Sequence, residues 1–175
     1  MRVLLHICCA VCATACVERL RQEGYQVSGY FYNPNIHPEE EYRKRLGAVK
    51  SLAEKGKFPL IIGDYDKDEW LSRIKGLEAE PEGGKRCARC FCFRLEKTAK
   101  AAQEKGFTVF TTTLTVSPHK NTQTINKIGR NVNKKLFLAR DFEKQDGFKR
   151  AQQLSRQYNL YHQNYCGCIY SFGEE

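Results

Sequence analysis

Short apolar runs along the chain alternate with longer stretches in which apolar residues recur every three or four positions. The short runs are rich in β-branched and aromatic residues, which is typical of buried strands, and the longer stretches are typical of amphipathic helices. The runs predict strands at residues 3–7, 26–32, 58–63, 107–113 and 136–138, with a helical stretch following each.

Strands that alternate with helices favour a parallel sheet covered on both faces. We therefore predict an α/β protein with a single Rossmann-like domain over residues 1–175 and a sheet of about five strands. In such a sheet, ligands bind at the carboxyl ends of the strands. The residues predicted at that edge are Cys8, Cys9, Asn33, Asp64, Thr113 and Asp141.

Two of these edge residues are carboxylates, Asp64 and Asp141. Each is a candidate for a catalytic acid or for an additional metal ligand. Each is also of a residue type that caps helices and turns, so the capping interpretation stays open.

The composition fits one cytoplasmic domain. The chain has 175 residues, of which 41% are hydrophobic, enough to close one core. The apolar start is interrupted by His6 and by cysteines, so we expect mature structure there and not a signal peptide. No apolar stretch approaches the length of a membrane span. Nine cysteines in a cytoplasmic protein point to metal or redox chemistry more than to structural disulfides.

Seven of the nine cysteines fall into three clusters, and a single-turn CxxC spacing at Cys87 and Cys90 brings two sulfurs toward one metal. A second thiol pair would complete a four-thiolate site for zinc or for an iron–sulfur cluster. The adjacent thiols of Cys8 and Cys9 are awkward ligands for one small tetrahedral ion, which favours the cluster. The seven residues are Cys8, Cys9, Cys12, Cys87, Cys90, Cys166 and Cys168.

The last cluster, Cys166-Gly167-Cys168, has a different character. A CxC disulfide closes a small strained ring, which suits a redox-active pair better than a structural bridge. Metal binding by both thiols is the competing interpretation.

Basic residues are concentrated in the last third of the chain. Residues 119–150 hold nine basic and three acidic side chains, a net charge of +6 within a whole-chain charge of +9. Such a segment is a candidate phosphate-contacting surface for nucleic acid, with Lys134 and Lys135 at its centre, or an ordinary solvated helix face.

Five motifs in order resemble the QueH-type epoxyqueuosine reductases, and they extend over nearly the whole chain. They are Leu5-His6-Ile7-Cys8-Cys9, Tyr32-Asn33-Pro34-Asn35-Ile36-His37-Pro38, Glu82-Gly83-Gly84-Lys85-Arg86-Cys87-Ala88-Arg89-Cys90-Phe91, Thr111-Thr112-Thr113-Leu114 with Ser117-Pro118, and Tyr165-Cys166-Gly167-Cys168. One departure is Val11, where the family often has proline, and this leaves the role of Cys12 open.

The resemblance implies a cytoplasmic oxidoreductase that reduces epoxyqueuosine to queuosine at the wobble position of tRNA, the last step of queuosine biosynthesis. It implies a fold similar to the adenine nucleotide α-hydrolase-like (HUP) domains and a [4Fe-4S] cluster on Cys8, Cys9, Cys87 and Cys90. It also implies a redox-active pair at Cys166 and Cys168. The reduction of an epoxide further calls for an external electron donor, and a second metal ion, iron, beside the cluster is a candidate Lewis acid for the epoxide oxygen.

Other residues are candidates for substrate contacts. Tyr32, Asn33 and His119 are candidates for the nucleoside pocket, and Lys134 and Lys135 for tRNA phosphates. Two alternatives of other classes remain: a zinc-stabilised RNA-binding module without chemistry, and a metal-free thiol-disulfide oxidoreductase.

Overall fold

A computed structural model describes residues 1–171 of the chain. Within these residues a parallel sheet is formed by β1 (Arg2–His6), β2 (Gln26–Phe31), β3 (Leu60–Ile62) and β4 (Val109–Thr112). The strand order is β3-β2-β1-β4. The predicted α/β class and the parallel sheet are therefore confirmed.

Six α-helices connect and cover these strands within the described residues. They are α1 (Ala10–Gln22), α2 (Glu39–Lys55), α3 (Lys67–Ile74), α4 (Lys85–Glu104), α5 (Thr122–Val132) and α6 (Gly147–Gln157). Two short 3₁₀ helices lie at Thr113–Val116 and Ile169–Ser171. None of the described helices is long and apolar enough to cross a membrane.

The sheet separates two hydrophobic cores, because successive side chains of a strand point to opposite faces. Val3 and Leu5 of β1 belong to the core beneath α1, α2 and α6. Leu4 belongs to the other core, with residues of α3 and α4. The continuous apolar sequence of β1 follows from its burial on both faces.

The predicted fifth strand is wrong: the sheet has four strands in the part of the chain that the structure describes. Residues 136–138 make one isolated parallel bridge, between Phe137 and Phe110, with hydrogen bonds from Phe110 N to Leu136 O (2.9 Å) and from Leu138 N to Phe110 O (2.8 Å). The segment leaves a turn at residues 134–136, and β4 passes into a 3₁₀ helix at Thr113. Pairing is therefore limited to a single position.

The order of the strands reverses at β1. The chain moves outward from β1 to β2 and β3, and then returns to place β4 on the other side of β1. In parallel α/β sheets this point of reversal leaves a crevice beyond the carboxyl ends of the two strands on either side of it. Here those ends are occupied by Cys8, after β1, and by Thr113, after β4.

Candidate metal centre

Cys8, Cys9 and Cys12 form a compact thiol group where β1 passes into α1. Thr113 Oγ1 accepts a hydrogen bond from Cys8 N (3.0 Å) and donates one to Cys8 Sγ (3.1 Å), which ties this group to the end of β4. Cys9 is the N-cap of α1, and its sulfur accepts from the backbone N–H of Cys12 at 3.5 Å. The three sulfurs lie within 4.8 Å of one another, close enough to hold a metal ion.

The distance between the adjacent sulfurs removes one sequence argument against zinc. Cys8 Sγ and Cys9 Sγ are 3.9 Å apart. Tetrahedral zinc with Zn–S bonds near 2.3 Å separates its sulfurs by about 3.8 Å. The adjacent thiols are therefore not awkward around a single ion, and this pair does not discriminate zinc from iron.

The thiol group is arranged to hold negative charge on Cys8. Hydrogen bonds from the thiols of Cys12 and Cys9 hold the pKa of Cys8 well below its usual range, against the effect of burial, and the charges of Lys120 and Arg94 add to the lowering. The contact with Cys8 raises the pKa of Cys12. One sulfur is thus poised as a thiolate, the form in which cysteine binds metals.

A second pair of thiols lies at the first turns of α4. Cys87 is half-buried, and its sulfur accepts from Gly83 N at 3.2 Å, while burial raises the pKa of its thiol. Cys90, one turn further, is 7% exposed. Its sulfur lies 3.9 Å from Nη1 of Arg94.

The third pair, Cys166 and Cys168, lies in an irregular segment near the end of the described chain. Gly167 between them has a φ of +105°, in the left-handed region that favours glycine. Cys168 N donates to Cys166 Sγ at 3.3 Å. The thiol of Cys168 donates to Cys166 and lowers the pKa of Cys166 to about 6, and the same contact raises the pKa of Cys168. The two thiols of the pair are therefore chemically unequal.

All three groups line one cavity of about 720 Å³ at the carboxyl edge of the sheet. The cysteines that line it are Cys8, Cys9, Cys12, Cys87, Cys90, Cys166 and Cys168. Cys16 is buried in the core beneath α1, and Cys92 is half-buried beside Glu96, so neither faces the cavity. Segments separated by more than 70 residues thus bring seven sulfurs together.

The two candidate carboxylates do not reach this cavity. Asp64 is exposed after β3, the edge strand furthest from β1 on its side of the sheet. The carboxylate of Asp141 accepts from Lys144 N at 3.4 Å, and its carbonyl accepts from Arg19 at 3.0 Å, as in a structural turn. Neither aspartate lines the cavity.

The candidate substrate residues divide into two groups. His119 is exposed and lines the cavity, whereas Lys134 and Lys135 are exposed in the turn after α5 and do not. Tyr32 is buried outside the lining, and its hydroxyl donates to Asp66 at 2.7 Å.

Asn33 has a supporting position behind the thiols. Its Nδ2 donates to Ile7 O at 2.8 Å, and its Oδ1 accepts from Arg94 at 2.7 Å. It does not line the cavity, and both ends of its amide are occupied by protein.

Sequence reasoning gave no role to the arginines that line or support the cavity. Arg86 and Arg94 line it, together with Lys120 of the predicted basic segment. Arg45 of α2 donates to the carbonyls of Tyr165 (2.9 Å) and Cys166 (3.0 Å). The four-residue spacing of Arg86, Cys90 and Arg94 was the available signal, because it places all three on one face of a helix.

The sequence pattern of one protein family, described as Epoxyqueuosine reductase QueH, matches residues 3–174. Among individual relatives, a protein of that name from Streptococcus pyogenes is 41% identical, over 97% of this chain and 69% of the relative. The corresponding protein of Acinetobacter baylyi is 41% identical, over 97% and 80% of the two chains. That of Thermotoga maritima is 37% identical, over 98% and 91%. The matched residues therefore span all three thiol groups.

Proposed function

The chain belongs to the QueH family of epoxyqueuosine reductases, and on that premise we propose that it reduces epoxyqueuosine in tRNA to queuosine with the help of an iron–sulfur cluster. Enzymes of this name are oxidoreductases. The observation that carries the proposal is the meeting of seven cysteine sulfurs from three distant segments in one cavity. A binding module without chemistry has no need of a polarised CxC pair beside a metal-binding thiol group.

We propose Cys8, Cys9, Cys87 and Cys90 as the ligands of a [4Fe-4S] cluster. The donor set fits this group: all four are thiols, all four line the cavity, and Cys8 is already poised as a thiolate. When bound, the cluster supplies single-electron transfer. Cys12, within 4.8 Å of Cys8 and Cys9, is then available to a second metal ion, iron, beside the cluster.

Cys166 and Cys168 are proposed as the two-electron store of the reaction. Converting an epoxide to an alkene requires two electrons and two protons and releases water. Oxidation of the pair to a disulfide provides both electrons, the thiol of Cys168 provides one proton and solvent provides the other, so the step balances. An external donor then reduces the disulfide. A pKa of about 6 makes Cys166 the thiolate of the pair near neutral pH.

The tRNA is proposed to lie along α5. This helix begins beside the cavity, since Asn121 and Thr124 line it, and leads to the exposed side chains of Lys134 and Lys135. Other cations of the basic segment are already neutralised: Arg140 pairs with Glu23 at 3.0 Å and Arg150 with Glu18 at 2.7 Å. The free cations that the proposal needs are therefore concentrated at the end of α5.

The remaining parts of the proposal concern context. A single α/β domain over residues 1–175, related to the adenine nucleotide α-hydrolase-like domains, is supported by the parallel order β3-β2-β1-β4 with its reversal at the thiol site. A cytoplasmic location follows from the tRNA substrate.

The first test is a visible spectrum with iron, sulfide and zinc analysis on protein purified without oxygen. We expect a brown protein with about four iron and four sulfide per chain, and loss of both in Cys87→Ser. Cys92→Ser, on the same helix but outside the cavity, is the matched control and should keep them. A colourless protein with stoichiometric zinc would replace the proposal by the RNA-binding module. A metal-free protein that reduces generic disulfides would replace it by a thiol-disulfide oxidoreductase.

The second test concerns tRNA. Reversing the charge at Lys134 and Lys135 to glutamate should weaken tRNA binding and lower the slope of log K against log salt by about 1 to 2. The control reverses Lys100 and Lys105, which are exposed at the far end of α4. Equal losses in both variants would mean that only net charge matters.

A further inference from the structure

Two buried arginines flank Cys90 on α4. Arg86 is 1% exposed and Arg94 is 4% exposed, and both line the thiol cavity. Because they lie one turn before and one turn after Cys90, the helix presents a guanidinium, a thiol and a second guanidinium along one face.

Neither arginine has a carboxylate partner within 4 Å in residues 1–171. Nη1 of Arg86 donates to backbone carbonyls, among them Glu78 O at 2.9 Å, and Nη2 of Arg94 donates to Asn33 Oδ1 at 2.7 Å. The Nε atoms of both, and Nη2 of Arg86, are buried without a hydrogen-bond partner in the described part of the chain.

A buried cation is normally paired with an anion, because removing a charge from water without a counter-charge is unfavourable. Here the groups within reach that become anionic when they bind a metal are sulfurs. Nη1 of Arg94 lies 3.9 Å from Cys90 Sγ, and its positive charge also lowers the pKa of Cys8. The charge of Arg86 acts on Cys87 and Cys168. Each arginine therefore faces a different side of the thiol cavity.

We propose that Arg94 and Arg86 are the built-in counter-charges of an anionic thiolate-bound cluster, and that they raise its reduction potential; this inference rests on the proposed function. A [4Fe-4S] core held by four thiolates carries a net charge of 2−, which becomes 3− on one-electron reduction. A fixed cation stabilises the more negative state more strongly. Removing Arg94 should therefore make the cluster harder to reduce.

The test is a redox titration of the loaded protein, followed by the visible and electron paramagnetic resonance spectra of the cluster. An opposite charge within about 4 to 6 Å shifts an ionisation equilibrium at least tenfold. We expect a tenfold change in the equilibrium constant for cluster reduction in Arg94→Gln. This corresponds to a shift of the reduction potential by about 59 mV to a more negative value for one electron. Arg94→Lys keeps the charge and should recover most of the shift. Arg89→Gln removes an exposed charge beside Cys90 and should leave the potential unchanged.

The outcomes separate this inference from the proposed function. If the unsubstituted protein binds no cluster, the proposed function fails. If it binds one, an unchanged potential in Arg94→Gln, or equal shifts in Arg94→Gln and Arg94→Lys, overturns the inference. Loss of tRNA affinity with an unchanged potential would assign the guanidinium groups to substrate phosphate instead, which also overturns it.

A failure to load is also informative. If Arg94→Gln is folded by circular dichroism but holds no cluster while Arg94→Lys does, the requirement for positive charge is supported. If neither Arg94 variant holds a cluster, the test passes to Arg86→Gln. We expect its cluster to have a more negative reduction potential than that of the unsubstituted protein, and an unchanged potential overturns the inference.

Discussion

A buried ion pair helps to hold the segment that carries Cys166, and removing that pair should have a large and separable effect. Arg45 Nε lies 2.7 Å from Glu41 Oε1, and the two side chains are 2% and 10% exposed. The other two nitrogens of Arg45 donate to the carbonyls of Tyr165 and Cys166, at 2.9 and 3.0 Å. Arg45 of α2 thus holds the backbone at Tyr165 and Cys166, where the CxC pair begins.

The substitution Arg45→Met replaces the charged side chain by an unbranched apolar chain that ends before the position of the guanidinium. Breaking a buried ion pair by removing one partner costs about 3 to 5 kcal/mol, mainly because the other charge stays buried. Glu41 keeps one hydrogen bond, from the hydroxyl of Tyr161 at 2.8 Å, so we expect a loss near the lower end, about 3 kcal/mol. For a domain whose total stability is about 5 to 15 kcal/mol, this is a large fraction.

The double variant Glu41→Leu/Arg45→Met separates the ion pair from the backbone contacts. It leaves no buried charge, so the electrostatic part of the loss should be recovered. The two hydrogen bonds to the backbone carbonyls stay lost, at about 1 kcal/mol each, partly replaced by water. We therefore expect the double variant to be more stable than the single variant while its CxC segment remains loosely held.

The assay is urea unfolding of the reduced, metal-free protein followed by circular dichroism, with free-energy differences taken from midpoints at a common slope. The position of the CxC segment is monitored by the alkylation rate of Cys166, which should change in both variants. A loss below about 1 kcal/mol in Arg45→Met, or equal losses in the single and double variants, would refute the assignment of a buried ion pair.

Two further predictions concern the thiol pair and the packing of α5. The alkylation rate of Cys166, followed on its own peptide by mass spectrometry, should be half-maximal near pH 6 and level off above pH 7, since the pKa of this thiol is lowered to about 6. Cys168→Ala should move the midpoint of this pH profile upward. Identical midpoints in the two proteins would contradict the hydrogen bond between the thiols. Gly129→Ala should lower the free energy of unfolding by about 1 to 3 kcal/mol, because the new methyl would lie 2.3 Å from the ring of Phe137. The control Gly47→Ala, on α2 with open space around it, should instead be neutral or stabilising, and a gain at both positions would contradict the contact.

The local sequence pattern predicts the alternation of strands and helices correctly, but it does not determine the number of strands in the sheet. The apolar run at residues 136–138 satisfies a strand pattern, but whether a run pairs over its length depends on the partner that lies beside it. Here β4 ends at Thr112, and only Phe137 finds a pairing partner, Phe110. Pairing between distant segments is a property of the whole fold, which a local pattern does not contain.

The same distinction applies to the candidate site. The gathering of the cysteines could be predicted, because clustered thiols at helix starts indicate a shared site whatever the strand order. The positions of Asp64 and Asp141 relative to the cavity could not be predicted, because a place at the carboxyl edge of the sheet does not fix the distance from the middle of that edge. Asp64 follows β3, two strands from β1, which is about 10 Å along the sheet.

The position of the cavity explains how one site collects groups from both layers of the protein. Cys9 and Cys12 belong to the core beneath α1, α2 and α6, whereas Cys90 and Cys168 belong to the core beneath α3 and α4. The two cores lie on opposite faces of the sheet, and the reversal between β1 and β4 opens a crevice at its carboxyl edge. Sulfurs supported by different cores meet at this edge. A substitution that loosens either core should consequently alter the thiol geometry, even when it lies far from every cysteine.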